Sequence, residues 1–74
     1  MNQAYNHLIG TRIRSVRMQQ KLSQEQLAAK AQLLGCDLMR SALAKIECGQ
    51  RSIYPDELKA LRLALNVPYD TLLP

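Results

Sequence analysis

A chain of 74 residues with a formal charge of +4 forms one small domain, residues 1–74, around a modest core. No apolar run is long enough to span a bilayer, and the start Met1-Asn2-Gln3-Ala4-Tyr5 lacks the basic and apolar regions of a signal peptide, so a cytoplasmic protein is expected. Phe and Trp are absent and Leu and Ala supply most of the apolar content, a composition that favours an all-α bundle.

Breaks at Gly35, Gly49, Pro55 and Asn66-Val67-Pro68 divide the chain into about five helical segments, with no linker, repeat or low-complexity stretch. The first covers residues 3–20. Ile9, Ile13 and Val16 follow i, i+4, i+7 spacing and make one apolar stripe. Arg14 and Lys21 project away from it, and Arg17 lies at its edge, where a buried stem leaves the head free to find a partner.

The second segment starts at Ser23, which forms an S-x-x-Q capping box with Gln26. Leu27, Ala28, Ala31 and Leu34 are its expected inward face, the alanines allowing close approach of another helix. The third covers residues 40–48, with Leu43 and Ile46 inward and Arg40, Ser41, Ala44 and Lys45 elsewhere. Gly49 supplies its left-handed stop. The fourth begins near Pro55, with Asp56 and Glu57 at the positive end of the helix dipole and Leu58, Leu61 and Leu65 on one face. Asn66 can end it much as glycine would. Pro68 opens a short last segment in which Leu72 and Leu73 give apolar cover.

The charge is uneven. Residues 1–30 hold Arg12, Arg14, Arg17, Lys21 and Lys30 against Glu25 alone, whereas residues 55–74 are nearly balanced. A basic half suggests a polyanionic partner; a solubilising surface is the plainer alternative. Cys36 and Cys48 form no C-x-x-C pair, and with His7 they do not complete a usual zinc site, so free thiols and no metal or cofactor are expected. His7 has no recognisable catalytic partner and no glycine-rich phosphate loop occurs, which argues against an enzyme.

Three stretches in order, Arg12-Ile13-Arg14-Ser15-Val16-Arg17, Leu22-Ser23-Gln24-Glu25-Gln26-Leu27-Ala28 and Ile46-Glu47-Cys48-Gly49-Gln50-Arg51, resemble the Cro/CI repressor-type helix-turn-helix family, also called the xenobiotic response element family. The resemblance runs from about Ile9 to Leu73. It implies a compact five-helix, lambda-repressor-like domain whose second and third helices form the helix-turn-helix, the third lying in the DNA major groove. By position, Arg40, Ser41 and Lys45 match residues that face base edges, and Ala44 matches one that touches a thymine methyl. Gln24 matches a phosphate-binding position at the start of the second helix, and Gln50, Arg51 and Ser52 match the loop that meets the sugar-phosphate backbone. Arg17 and Glu47 match an ion pair between the first and third helices, a structural role.

The chain departs from this pattern in one place. Between Leu27-Ala28 and Ile46-Glu47 it carries about five more residues than the tight version of the family, around Leu33-Leu34-Gly35-Cys36-Asp37-Leu38. Either the second helix gains a turn or the connection is longer. Met39 stands where a Ser or Thr cap is common, and Asp37 is an alternative cap that starts the helix two residues earlier. The resemblance implies a sequence-specific transcriptional regulator, a repressor that occupies an operator as a homodimer. Tyr5, Leu8, Tyr69, Leu72 and Leu73 are candidate dimer contacts, each equally compatible with core. The rival readings are an antitoxin that binds both DNA and a toxin, and a protein-interaction module without DNA binding.

Overall fold

Each of the first four helices ends on the same device. In the computed structural model, which describes residues 3–74, the chain forms α1 (Gln3–Gln19), α2 (Gln24–Leu33), α3 (Arg40–Glu47), α4 (Pro55–Leu65) and α5 (Tyr69–Leu72). Met1 and Asn2, part of the start read above for a signal peptide, lie outside the described residues. Lys21, Gly35, Gly49 and Asn66 each take a positive φ just after a helix. At each, the residue after the turn donates its N–H back to a carbonyl five residues earlier: Leu22 to Arg17, Cys36 to Ala31, Gln50 to Lys45 and Val67 to Arg62. This is the Schellman arrangement, which satisfies carbonyls the helix itself leaves open. Glycine and asparagine tolerate the left-handed conformation; Lys21 adopts it against its steric preference.

The helix starts are less uniform. Ser23 caps α2 with the full capping box: its Oγ accepts from the Gln26 N–H, and the Gln26 side chain accepts from the Ser23 N–H. Helix α3 begins at Arg40 behind Met39, whose side chain makes no capping bond, so Asp37 does not start the helix early. Helix α4 starts with Pro55, and the Glu57 carboxylate accepts the Tyr54 N–H.

Ile9, Ile13 and Val16 of α1, Leu27, Ala28 and Ala31 of α2, Leu43 and Ile46 of α3, Ala60, Leu61 and Leu65 of α4 and Leu72 of α5 meet in one core. Burying each of the Ile, Leu and Val side chains supplies about 1.5–3 kcal/mol in area bookkeeping, the main favourable term in a domain of this size. Helix α1 lies across α3, α2 lies against both α3 and α4, and α5 returns to α1. The α1–α3 approach depends on Gly10, where a Cβ would collide with the carbonyl oxygen of Ile46.

Two expectations change. Leu34 does not join the core: as the capping residue just after α2 it is carried outward by the turn at Gly35 and stays half exposed. Leu72 is fully buried and is core rather than an available dimer contact, whereas Tyr5, Leu8 and Tyr69 are exposed. The extra residues form a longer connection, not another turn of α2. Residues 34–39 cross from α2 to α3, pinned by the buried side chain of Leu38 and by a 3.0 Å bond from Gln32 Nε2 to the Leu38 carbonyl.

Candidate nucleic-acid interface

The helix-turn-helix unit is α2, the six-residue connection and α3, and one buried carboxylate fixes its position on the rest of the domain. Glu47, at the last turn of α3, accepts from Arg17 Nε at 2.8 Å, from Arg17 Nη2 at 3.0 Å and from Gln24 Nε2 at 3.1 Å. Arg17 also donates Nη1 to the carbonyl of Leu22 at 2.7 Å, inside the turn that closes α1. The Glu47 side chain is 1% exposed and that of Arg17 10%. The pair therefore joins α1, the α1–α2 turn, the start of α2 and the end of α3. A buried pair of this kind needs both partners, because either one alone leaves an uncompensated charge.

With its last turn held, α3 turns Arg40, Ser41 and Lys45 to solvent, and Ala44 lies half exposed among them. Positions 40 and 44, and 41 and 45, are i, i+4 pairs, so the four residues share one helical face. The side chains of Arg40, Ser41 and Lys45 make no hydrogen bond or ion pair with any described residue. Met39, exposed at the leading end of α3, adds an apolar group beside this face that the sequence reading treated only as a poor cap.

The four phosphate candidates occupy two places. Gln24 opens α2 with its carboxamide drawn to Glu47, while Ser23 Oγ takes the Gln26 N–H and leaves those of Gln24 and Glu25 pointing out of the helix start. Exposed N–H groups at a helix N-terminus favour an anion. Gln24 and Glu47 also line a groove of about 530 Å³ with His7, Thr11 and Arg14 of α1.

Gln50, Arg51 and Ser52 sit in the α3–α4 loop, which is docked on α1. Asn6 Nδ2 donates to Ser52 Oγ at 3.1 Å, and a Cβ on Gly49 would come within 2.6 Å of His7 Nδ1. Gln50 is exposed. The Arg51 guanidinium donates Nη1 to Glu57 Oε1 at 2.9 Å and to the Ser52 carbonyl at 3.0 Å, and Nη2 to Glu57 Oε2 at 2.7 Å. It also stacks 5.0 Å from the Tyr54 ring centre. Three of its five N–H groups are thus engaged and two remain for another acceptor. Hydrogen bonding to Arg51, helped by the Tyr54 N–H, holds the Glu57 carboxyl below its usual range against the opposing effect of burial.

Sequence reasoning missed Glu57 as a loop organiser and Asn6 as a loop anchor. The signal for Glu57 was local: an acidic residue three positions after the helix-capping residue, six after an arginine. Asn6 sits 46 residues from its partner and carried no signal. Cys36 and Cys48 are free thiols, and among the described residues no group of His, Cys, Asp and Glu is placed to hold a metal ion. No described helix is long and apolar enough to cross a membrane.

Five helices, a helix-turn-helix at α2–α3 and an outward basic face on α3 define a DNA-binding regulator fold of the Cro/CI repressor type. The chain belongs to the helix-turn-helix domain family, whose profile matches residues 10–74. It is similar to the restriction-modification controller protein C.AhdI from Aeromonas hydrophila, at 31% identity over 95% of this chain and 98% of that one, with a TM-score of 0.84. It is also similar to the DNA-binding domain of BldD, at 28% identity over the whole of both chains and a TM-score of 0.83. The S. venezulae BldD DNA-binding domain matches 96% of this chain and 99% of its own at 28% identity, with a TM-score of 0.79. No curated protein matches.

Proposed function

We propose that this protein is a sequence-specific, double-stranded-DNA-binding transcriptional regulator that represses by occupying an operator. The observation that carries this reading is the face of α3, where exposed Arg40, Ser41 and Lys45 stand together with half-exposed Ala44 on a helix whose far end is locked by Glu47. An arginine can make a bidentate contact to guanine, a lysine can reach the same acceptors, and an alanine methyl suits thymine. Phosphates are taken by the start of α2 at Gln24 and by Gln50, Arg51 and Ser52 in the α3–α4 loop. Arg51 then acts as a pre-set donor, held by Glu57 with two N–H groups to spare. Arg17 and Glu47 have no contact with DNA and keep the two helices in register.

One short helix reads few base pairs, so the protein acts as a homodimer on an inverted repeat with half-sites about one helical turn apart. The relatives named as a restriction-modification controller and as a DNA-binding domain support the regulatory reading. Selection from a random duplex pool, followed by titration of the selected and an unrelated duplex at two salt concentrations, tests it. The expected result is one enriched inverted repeat and an affinity that falls steeply with salt, because phosphate contacts release counterions. Absence of binding to any duplex at low salt refutes the proposal, and a reporter gene behind the selected site reads the sign of regulation.

A further inference from the structure

Asn6 is 5% exposed, yet its amide is only half matched. Nδ2 donates to Ser52 Oγ at 3.1 Å, whereas Oδ1 is buried with no donor among the described residues. An unmatched buried acceptor is uncommon and costs stability, so it calls for a reason. The partner supplies one. Ser52 is half-buried in the α3–α4 loop, and its hydroxyl donates to no described residue. The loop around it is fixed on both sides. Buried Ile53 anchors it in the core, Glu57 of α4 clamps Arg51, and Gly49 passes against His7 of α1.

We infer that Asn6 is a positioning residue, which sets the Ser52 hydroxyl as a donor aimed at a DNA phosphate. The inference rests on the DNA-binding reading and adds to it a buried residue that itself never touches DNA. A serine hydroxyl has one proton and two lone pairs, so it can meet a partner as donor or as acceptor. A phosphodiester oxygen only accepts, and therefore binds only the donor state. The Asn6 Nδ2 group only donates. It occupies a lone pair of Ser52 Oγ, leaves the hydroxyl proton to point away from α1, and polarises the O–H into a stronger donor. Turned the other way, the amide would offer Oδ1, draw the Ser52 proton inward and present lone pairs to the phosphate. In the observed orientation Oδ1 goes without a donor and the Ser52 proton stays free. The loop then carries two pre-set donors, Arg51 held from α4 by Glu57 and Ser52 held from α1 by Asn6.

Two measurements test the inference. In the chain without DNA, the Asn6 side-chain N–H protons, followed by NMR, should exchange slowly with solvent, and Ser52→Ala should shift their resonances and speed their exchange. Resonances that ignore Ser52→Ala overturn the inference. The second measurement uses the duplex selected from the random pool. Ser52→Ala should weaken binding by about tenfold, the loss of a hydrogen bond to a charged group. Asn6→Leu should weaken it by about threefold, because the hydroxyl then spreads over its other staggered positions. The losses should not add: in the Ser52→Ala background, Asn6→Leu should cost nothing further. Neutral methylphosphonates, placed one at a time, locate the contact. Asn6→Leu should reduce sensitivity at the phosphate to which Ser52→Ala becomes indifferent, and leave it unchanged at the phosphate read by Arg51→Ala. A merely structural anchor would blunt both. Asn6→Ala takes the place of Asn6→Leu if circular dichroism shows the latter unfolded at the assay temperature. Additive losses, or sensitivity lost at every phosphate alike, overturn the inference and leave the DNA-binding reading standing. A chain that binds no duplex overturns both.

Discussion

The two ends of α3 are held by different physics. At its C-terminal end, Glu47 receives three hydrogen bonds from two other elements, Gly49 turns the chain in a Schellman motif, and Gly10 lets α1 pass close to the Ile46 carbonyl. At its N-terminal end, Met39 offers no capping bond, and the six-residue connection from α2 is anchored by Leu38 and one bond from Gln32. The polar network sets where the helix ends and so the direction in which it points. The entry side, which carries Arg40 and Ser41, is positioned by apolar burial, which fixes depth more than orientation. In this chain the extra residues of the connection fall on the less constrained side, where added length disturbs no ion pair.

The largest effect should come from breaking the polar end. Arg17→Ala leaves Glu47 buried and uncompensated, and should cost about 3–5 kcal/mol, seen as a large fall in melting temperature. Removing both charges with Arg17→Met and Glu47→Leu should recover much of that loss, because two apolar groups of similar size leave no unpaired charge. If Arg17→Ala melts like wild type while losing DNA affinity, the pair is part of the DNA contact and the assigned structural role is wrong. Next in size is the apolar end. Leu38→Ala should cost about 2–5 kcal/mol by denaturant titration, the usual range for truncating a fully buried leucine. A loss below about 1 kcal/mol would mean that the connection collapses around the gap and that the entry to α3 is not held by Leu38.

Local devices were legible in the sequence, and contacts between distant residues were not. Ser23 and Gln26 declare a capping box because both partners lie within four residues. Gly49 and Asn66 declare helix ends because few residues accept a left-handed conformation. Lys21 takes the same conformation and gave no warning, since lysine has no preference for it. The Arg17–Glu47 pair spans 30 residues, so only resemblance to a known family pointed to it, and Gln24 was read for phosphate without its bond to the same carboxylate. Leu38 lies in an irregular stretch where no periodicity marks a core position. Leu34 fitted the helical period and still points outward, because the helix ends beneath it. On the site, the sequence indicated which residues lie on the α3 face but not that Arg51 is already bound to Glu57.

A smaller and opposite effect is expected from supplying the missing cap. Met39 already has the extended backbone of a capping residue, at φ −88° and ψ 157°. Met39→Ser should therefore stabilise the domain by about 0.5–1 kcal/mol, read as a modest rise in melting temperature, by accepting a free N–H in the first turn of α3. No gain would show that the entry side is limited by the connection rather than by the cap.

The smallest stability effect belongs to the second ion pair, which sharpens the contrast with the first. Arg51–Glu57 closes a loop rather than joining helices, and the Arg51 side chain is 29% exposed. Solvent screening reduces its worth, so Arg51→Ala should cost about 1 kcal/mol or less, well under Arg17→Ala. Its signature is the pH dependence. Glu57 is held below its ordinary value in the folded chain, so it binds a proton more readily when unfolded. Its contribution is fully present above the unfolded carboxylate value of about 4.3 and is lost as the pH falls through the lower folded value. Wild type and Arg51→Ala should therefore differ most near neutral pH, and their melting temperatures should converge on acidification below about pH 4. In DNA binding the same variant should lower affinity on every duplex and reduce the salt slope by about one phosphate. A melting difference that persists unchanged into acid would mean that Arg51 stabilises the loop through Tyr54 and the Ser52 carbonyl, not through the Glu57 carboxylate.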